Sequence, residues 1–151
     1  MANAVKWGQG LAATVQTVLS TELNSLANGA YTNAGTAFDN ANASNLNTYG
    51  WLELNVTFGS APTDKSTIDI YMLKAMDGTN YEDGSSSVRP AGASLVASID
   101  LRNSTSAQKR ASGMFVMPPS PVKFLAYNGS GQAFPASGST VKLFMAYDEV
   151  K

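Results

Sequence analysis

From residue 51 onward the chain alternates apolar and polar side chains, and this period of two constrains its fold more than any other feature. Leu52, Leu54, Val56 and Phe58 fall on one side, Glu53, Asn55 and Thr57 on the other. A β-strand sends successive side chains to opposite faces, so such a run is a half-buried strand. The pattern repeats over residues 67–75, with Ile68, Ile70 and Met72 on one face, and over 95–101, with Leu95, Ala97, Ile99 and Leu101 inward. Residues 109–117, 122–128 and 140–149 supply three more strands. Breakers bound them: Gly59-Ser60-Ala61-Pro62-Thr63-Asp64, Pro118-Pro119-Ser120-Pro121 and Asn128-Gly129-Ser130-Gly131. Proline offers a ladder no N–H, and glycine takes the positive φ that tight turns need. The polar stretch 76–92, with two Asp-Gly pairs, a serine triplet and Pro90, is expected as a long surface loop.

The first fifty residues read differently. Residues 11–19 lean towards strand. Ser20 or Thr21 is placed to cap a short helix over 22–28 that Gly29 stops. Residues 31–49, rich in Asn, Ala, Thr and Gly, are loop or weak edge strand, with Phe38 the only large apolar side chain before Leu46. One or two strands here and six afterwards match the roughly eight of a jelly roll. The expected fold class is all-β: an antiparallel β-sandwich, jelly-roll-like, with a short helix near the N-terminus. Residues 1–10 form an N-terminal arm and 11–151 a single β-sandwich domain.

A chain of 151 residues supports one core. It contains no histidine and no cysteine. That excludes disulfide scaffolds, the usual zinc sites, cysteine nucleophiles and Ser-His-Asp triads. Only 14% of residues are charged and the net charge is -1, against about 25% charged in typical soluble domains. With no basic excess, no nucleic-acid partner is expected. No apolar run approaches the roughly 20 residues of a membrane span, so no membrane partner is expected either. The N-terminus lacks the charged start and apolar run of a secretory signal and reads as made and used without export. Glycosylation sequons such as those at Asn55, Asn103 and Asn128 carry no weight in a chain this rich in Asn, Ser and Thr.

Candidate chemistry is thin. The acidic stretch Asp77-Gly78-Thr79-Asn80-Tyr81-Glu82-Asp83-Gly84 begins like a calcium loop, but Glu82 replaces the sixth-position glycine and Val88 the twelfth-position glutamate. A solvated turn is the better reading, and no metal or cofactor is expected. Glu53, Asp69 and Asp100 lie on outward strand positions, where a glycosidase-like carboxylate pair is conceivable; outward charges on strands are far more often solvating. Arg102, Lys109 and Arg110 make a small basic patch without interleaved aromatics. The chain therefore reads as no enzyme. More telling is the second face of the strands, which a free-standing sandwich keeps polar. Tyr71, Leu73, Val96, Met114, Val116, Leu125 and Phe144 all fall opposite their strand's main apolar set, although a one-residue bulge reverses any such assignment. With Trp7 and Trp51 they point to surface covered by a partner. Trp7, Tyr71, Leu73, Leu125 and Phe144 are the expected interface.

The run Val15-Gln16-Thr17-Val18-Leu19-Ser20-Thr21-Glu22-Leu23-Asn24-Ser25-Leu26-Ala27-Asn28-Gly29-Ala30, then Phe58-Gly59-Ser60-Ala61-Pro62 and Leu73-Lys74-Ala75-Met76-Asp77-Gly78-Thr79-Asn80-Tyr81, resembles a family of small virion proteins of tailed bacteriophages and prophages. The likeness extends to Pro118-Pro119, Lys123-Phe124 and Asn128-Gly129-Ser130-Gly131-Gln132-Ala133. Members are generally proposed to be capsid decoration, or cement, proteins. The resemblance implies a jelly-roll-like sandwich on the outer capsid shell of the virion. Its partner there is the major capsid protein, whose neighbouring subunits it bridges, and the chain is a homo-oligomer on the shell. Residues 1–10 are then placed to extend across an adjacent subunit. The alternative is a carbohydrate-binding or host-adhesion module of a phage tail or head fibre, with Trp51, Tyr81 or Tyr127 as sugar-stacking platforms.

Overall fold

The computed structural model describes residues 5–9, 15–42 and 46–150. Among these residues ten strands form two antiparallel sheets: β1 (Val5–Gln9), β2 (Gln16–Leu19), β3 (Phe38–Asp39), β4 (Tyr49–Val56), β5 (Thr67–Lys74), β6 (Leu95–Asp100), β7 (Gln108–Ala111), β8 (Phe115–Val116), β9 (Pro121–Gly129) and β10 (Thr140–Val150). In sheet A the order is β1-β10-β4-β7, with β2 also on β10 and β8 also on β4. In sheet B it is β3-β9-β5-β6. Early strands pair with late ones in nested fashion: β2 with β10, β3 with β9, β4 with β7 and β5 with β6. That is the strand order of a jelly roll. Among the described residues no helix is long and apolar enough to cross a membrane.

The alternation places the core. Leu52, Leu54 and Val56 of β4 and Val141, Leu143 and Met145 of β10 face Ile68, Ile70 and Met72 of β5 and Val122, Phe124 and Ala126 of β9, all buried. Phe58 and Phe134 close one end, ring edge against ring at 5.2 Å between centroids.

Four details depart from the sequence reading. The helix expected over 22–28 is a single 3-10 turn, Thr21–Leu23, with no side-chain cap. Ser25 adopts a φ of 54° and donates its N–H to the Pro135 carbonyl, and Leu26 accepts from the Phe134 N–H. Tertiary hydrogen bonds thus claim the groups a second helical turn needs. In β6 a register shift opposite Ile70 and Tyr71 reverses two residues: Val96 packs on the core and Leu95 is exposed. The strand expected over 109–117 is interrupted. Between the pairs Glu53↔Ala111 and Gly50↔Phe115 the β7–β8 side carries one extra residue. Ser112 fills the gap, donating its N–H to Leu52 and accepting the Leu52 N–H on Oγ at 2.9 Å. The interruption aims Phe115 inward, over Gly50, where any Cβ would lie 2.8 Å from the ring. Finally, Val5–Gln9 of the expected arm forms β1, antiparallel to the end of β10.

Asn128 joins three segments inside the sandwich. It is fully buried. Its amide donates to the carbonyls of Leu26 (2.9 Å) and Gln132 (2.8 Å) and accepts from the Ser130 N–H (3.0 Å). Asn128→Ala leaves the Ser130 N–H unpaired and takes one of two bonds each from the Leu26 and Gln132 carbonyls, and a loss of roughly 1–3 kcal/mol is expected, read by chemical denaturation.

Candidate functional site

The two outer faces of the sandwich have opposite fates. On sheet B the outward positions of β5 and β9 are Asp69, Tyr71, Leu73, Lys123, Leu125 and Tyr127. This face is closed by the chain itself. Residues 29–35 run along β9, bonded through Gly29, Ala30, Thr32 and Gly35. They bring the Tyr31 ring to 4.8 Å from that of Tyr127 and 6.0 Å from that of Tyr71. The long segment between β5 and β6 folds back over the rest. Glu82 pins it: its N–H donates to the Lys74 carbonyl, and its carboxylate accepts from the Lys74 N–H and Ser94 Oγ. Lys123 sits over the Tyr81 ring, 4.4 Å from its centroid. Gly84 lies on Leu73, where a Cβ would be 2.9 Å from one methyl.

Three residues of the expected interface are therefore occupied internally. Tyr71 is 5% exposed, Leu73 1% and Leu125 0%. Burial, with Tyr31 and Asp69 nearby, pushes the Tyr71 phenol above its usual range. Their outward position in the strands is as expected; the cover is the chain's own loop rather than a second molecule. A satellite apolar cluster under a long loop is a common use of such residues.

Among the described residues no loop is folded over the outer face of sheet A in this way. Outward in β4 are Tyr49, Trp51, Glu53 and Asn55; in β10 they pair with Ala146, Phe144, Lys142 and Thr140. Trp51 and Phe144 stand directly opposite each other, both half-buried. Val116, paired with Tyr49, and Met114 beside it are 67% and 53% exposed. Trp7 lies in β1 opposite Asp148. One end of the face is thus apolar and aromatic. The other is charged: Lys109 bridges Glu53 at 3.2 Å, and Glu53 accepts from the Asn55 amide. Phe144 stands on this open face, and it was legible through its parity in β10. Trp51, Val116 and Met114 belong beside it. Of the three sugar-stacking candidates, Tyr81 lies against Lys123 and Tyr127 against Tyr31, while Trp51 is on the open face.

Glu53 is on sheet A, whereas Asp69 and Asp100 lie on adjacent strands of sheet B, Asp69 opposite Ser98 and Asp100 opposite Thr67. Asp69 accepts from the hydroxyls of Thr67 and Ser98. Asp77 is turned onto its own loop: Oδ1 accepts from the N–H groups of Asn80 (2.7 Å) and Thr79 (2.9 Å), and Oδ2 from the Asn80 amide. These bonds, led by that of the Asn80 N–H, lower its pKa from 3.8 to about 2. Among the described residues no group of three acidic side chains is placed to hold a metal ion. Comparisons of the chain with protein-family models, with curated protein sequences and with solved structures gave no match.

Two outcomes follow from this geometry. The ionised Asp77 holds its turn above about pH 4 and releases it as pH falls through about 2. Asp77→Ala accordingly speeds amide exchange at Thr79 and Asn80 at neutral pH and changes nothing below the folded pKa, as NMR reads directly. Gly84→Val drives its side chain into Leu73, so the loop lifts: a lower melting temperature and dye binding to the uncovered Leu73 and Leu125 are expected.

Proposed function

We propose that this chain is a structural virion protein that docks on the outer capsid shell and stabilises it by bridging major capsid subunits. One observation carries the docking part: among the described residues the sandwich covers one outer face with its own loop and leaves the other uncovered, with half-buried Trp51 and Phe144 and exposed Val116 upon it. A solvent-facing antiparallel sheet is normally polar there, and contiguous apolar surface marks a contact site. The virion part rests on the sequence resemblance described above. A shell protein of this kind needs stiffness and contact area, and chemistry at the surface contributes nothing to that task.

Size argues for many copies. A face four strands wide and eight residues long covers roughly 500 Å², below the roughly 800 Å² per partner of a stable standard interface. Single docking events are then weak, and a repeating shell makes them strong by multiplying them. A homo-oligomer on the shell has the same effect.

The test is to heat shells carrying the protein, shells lacking it, and shells offered Phe144→Glu. Decorated shells should retain genome to higher temperature, and the variant should fail to bind while melting like the parent protein. Equal shell stability in all three would sink the proposal.

A further inference from the structure

Sheet A ends at β7 and sheet B ends at β6, and the two edges border one flank of the sandwich. The hydrogen-bond phase of each edge is fixed by one bond just beyond it. The Leu101 N–H donates to the Ser66 carbonyl at 2.9 Å, so Ile99 and Ala97 bond towards β5 while Ser98 and Asp100 turn their main-chain groups away. The Arg110 guanidinium accordingly reaches the Asp100 carbonyl from the flank, at 2.9 Å from Nε. On the other edge the Ser112 N–H donates to the Leu52 carbonyl at 2.8 Å. Gln108 and Arg110 then bond towards β4, and Lys109 and Ala111 face outward.

These outward residues line one groove of about 370 Å³: Ser98 and Asp100 on one wall, Lys109, Ala111 and Gly113 on the other. A small anion is a poor match for it. Lys109 is turned to Glu53, Arg110 to the Asp100 carbonyl and Arg102 to the Ala107 carbonyl, so the cations do not meet at a point. What faces the groove is main chain, repeating at strand spacing. An extended polypeptide complements that pattern.

Charge selects the polypeptide. Gln108 ties the 102–107 turn to the start of β7, accepting from the Arg102 N–H and donating to the Arg102 and Ser104 carbonyls. Arg102, Lys109 and Arg110 thus border the same flank, against two carboxylates, that of Asp100 and that of Glu53 on Lys109, which leaves one positive charge in excess. Like charges oppose pairing of this edge with the same edge of a sister copy. We propose that the β7 edge receives an extended acidic segment of a partner protein as an added β-strand, bonded to the main chain of Lys109 and Ala111. This inference is independent of the capsid reading, since it concerns the flank and not the open face of sheet A.

The probe is a labelled strand-forming hexapeptide with glutamate at alternate positions, titrated into the full-length protein at low salt. It should bind, weaken as salt rises, and protect the Lys109 and Ala111 amides from hydrogen exchange. A basic counterpart, and the same acidic peptide N-methylated at alternate amides, should each bind at least tenfold more weakly. Ala111→Pro deletes an outward N–H without removing a bond to β4 and should lose binding to the same degree. Lys109→Glu gives a second variant should the proline variant not fold. No binding of the acidic peptide, equal binding of its N-methylated form, protection confined to other strands, or self-association through β7 in its place would overturn the proposal.

Discussion

Two long ladders, β4 with β10 and β5 with β9, face each other across the sandwich, and the rest of the structure hangs on them. Each presents an unbroken row of apolar side chains to the other, from Leu52, Leu54, Leu143 and Met145 on one side to Ile70, Met72, Phe124 and Ala126 on the other. Burial of this kind contributes about 25 cal/mol for each Å² removed from water. The partners in each ladder are far apart in sequence, so the chain gains it only when late strands return beside early ones. The nested order follows from that return. β2, β3, β6 and β7 flank these ladders, and their irregularities leave the central pairs intact.

With the inner faces committed, the outer faces decide how the molecule meets others. Sheet B spends its outer apolar residues internally. Glu82, Gly84 and Tyr31 bring two separate segments over Tyr71, Leu73 and Leu125, and the result is a second, smaller apolar cluster. Sheet A has no such cover from its described residues, and its aromatic end stays at the surface beside the Lys109–Glu53 pair. A protein with so little charge relies on small polar side chains for its hydration. A face that breaks this pattern stands out against the rest of the surface.

Much of this was legible in the chain. The inward sets of β4, β5, β9 and β10 match the alternation residue for residue, because side-chain period is a local property of extended backbone. The failures are equally instructive. The turn at Thr21–Leu23 is short because Ser25 and Leu26 bond to residues more than a hundred positions away, at Pro135 and Phe134. Leu95 and Val96 exchange faces through a bulge, which leaves no periodic trace. Tyr71, Leu73 and Leu125 stand outward in their strands, as their parity implies, but the chain's own segments cover them, which parity does not reveal.

The sequence by itself determined the class of fold, the long central strands β4, β5, β9 and β10 with their inner faces, and the absence of histidine and cysteine chemistry. Each of these depends on residue type and on spacing within one strand. Only the tertiary structure decided which apolar outer residues remain outside. That choice depends on where a twenty-residue loop lands and on whether a residue without a side chain, Gly84, lets it close on Leu73. Proximity between segments distant in sequence has no period to read, so the open face of sheet A and the flank between β6 and β7 emerge only once the chain is folded.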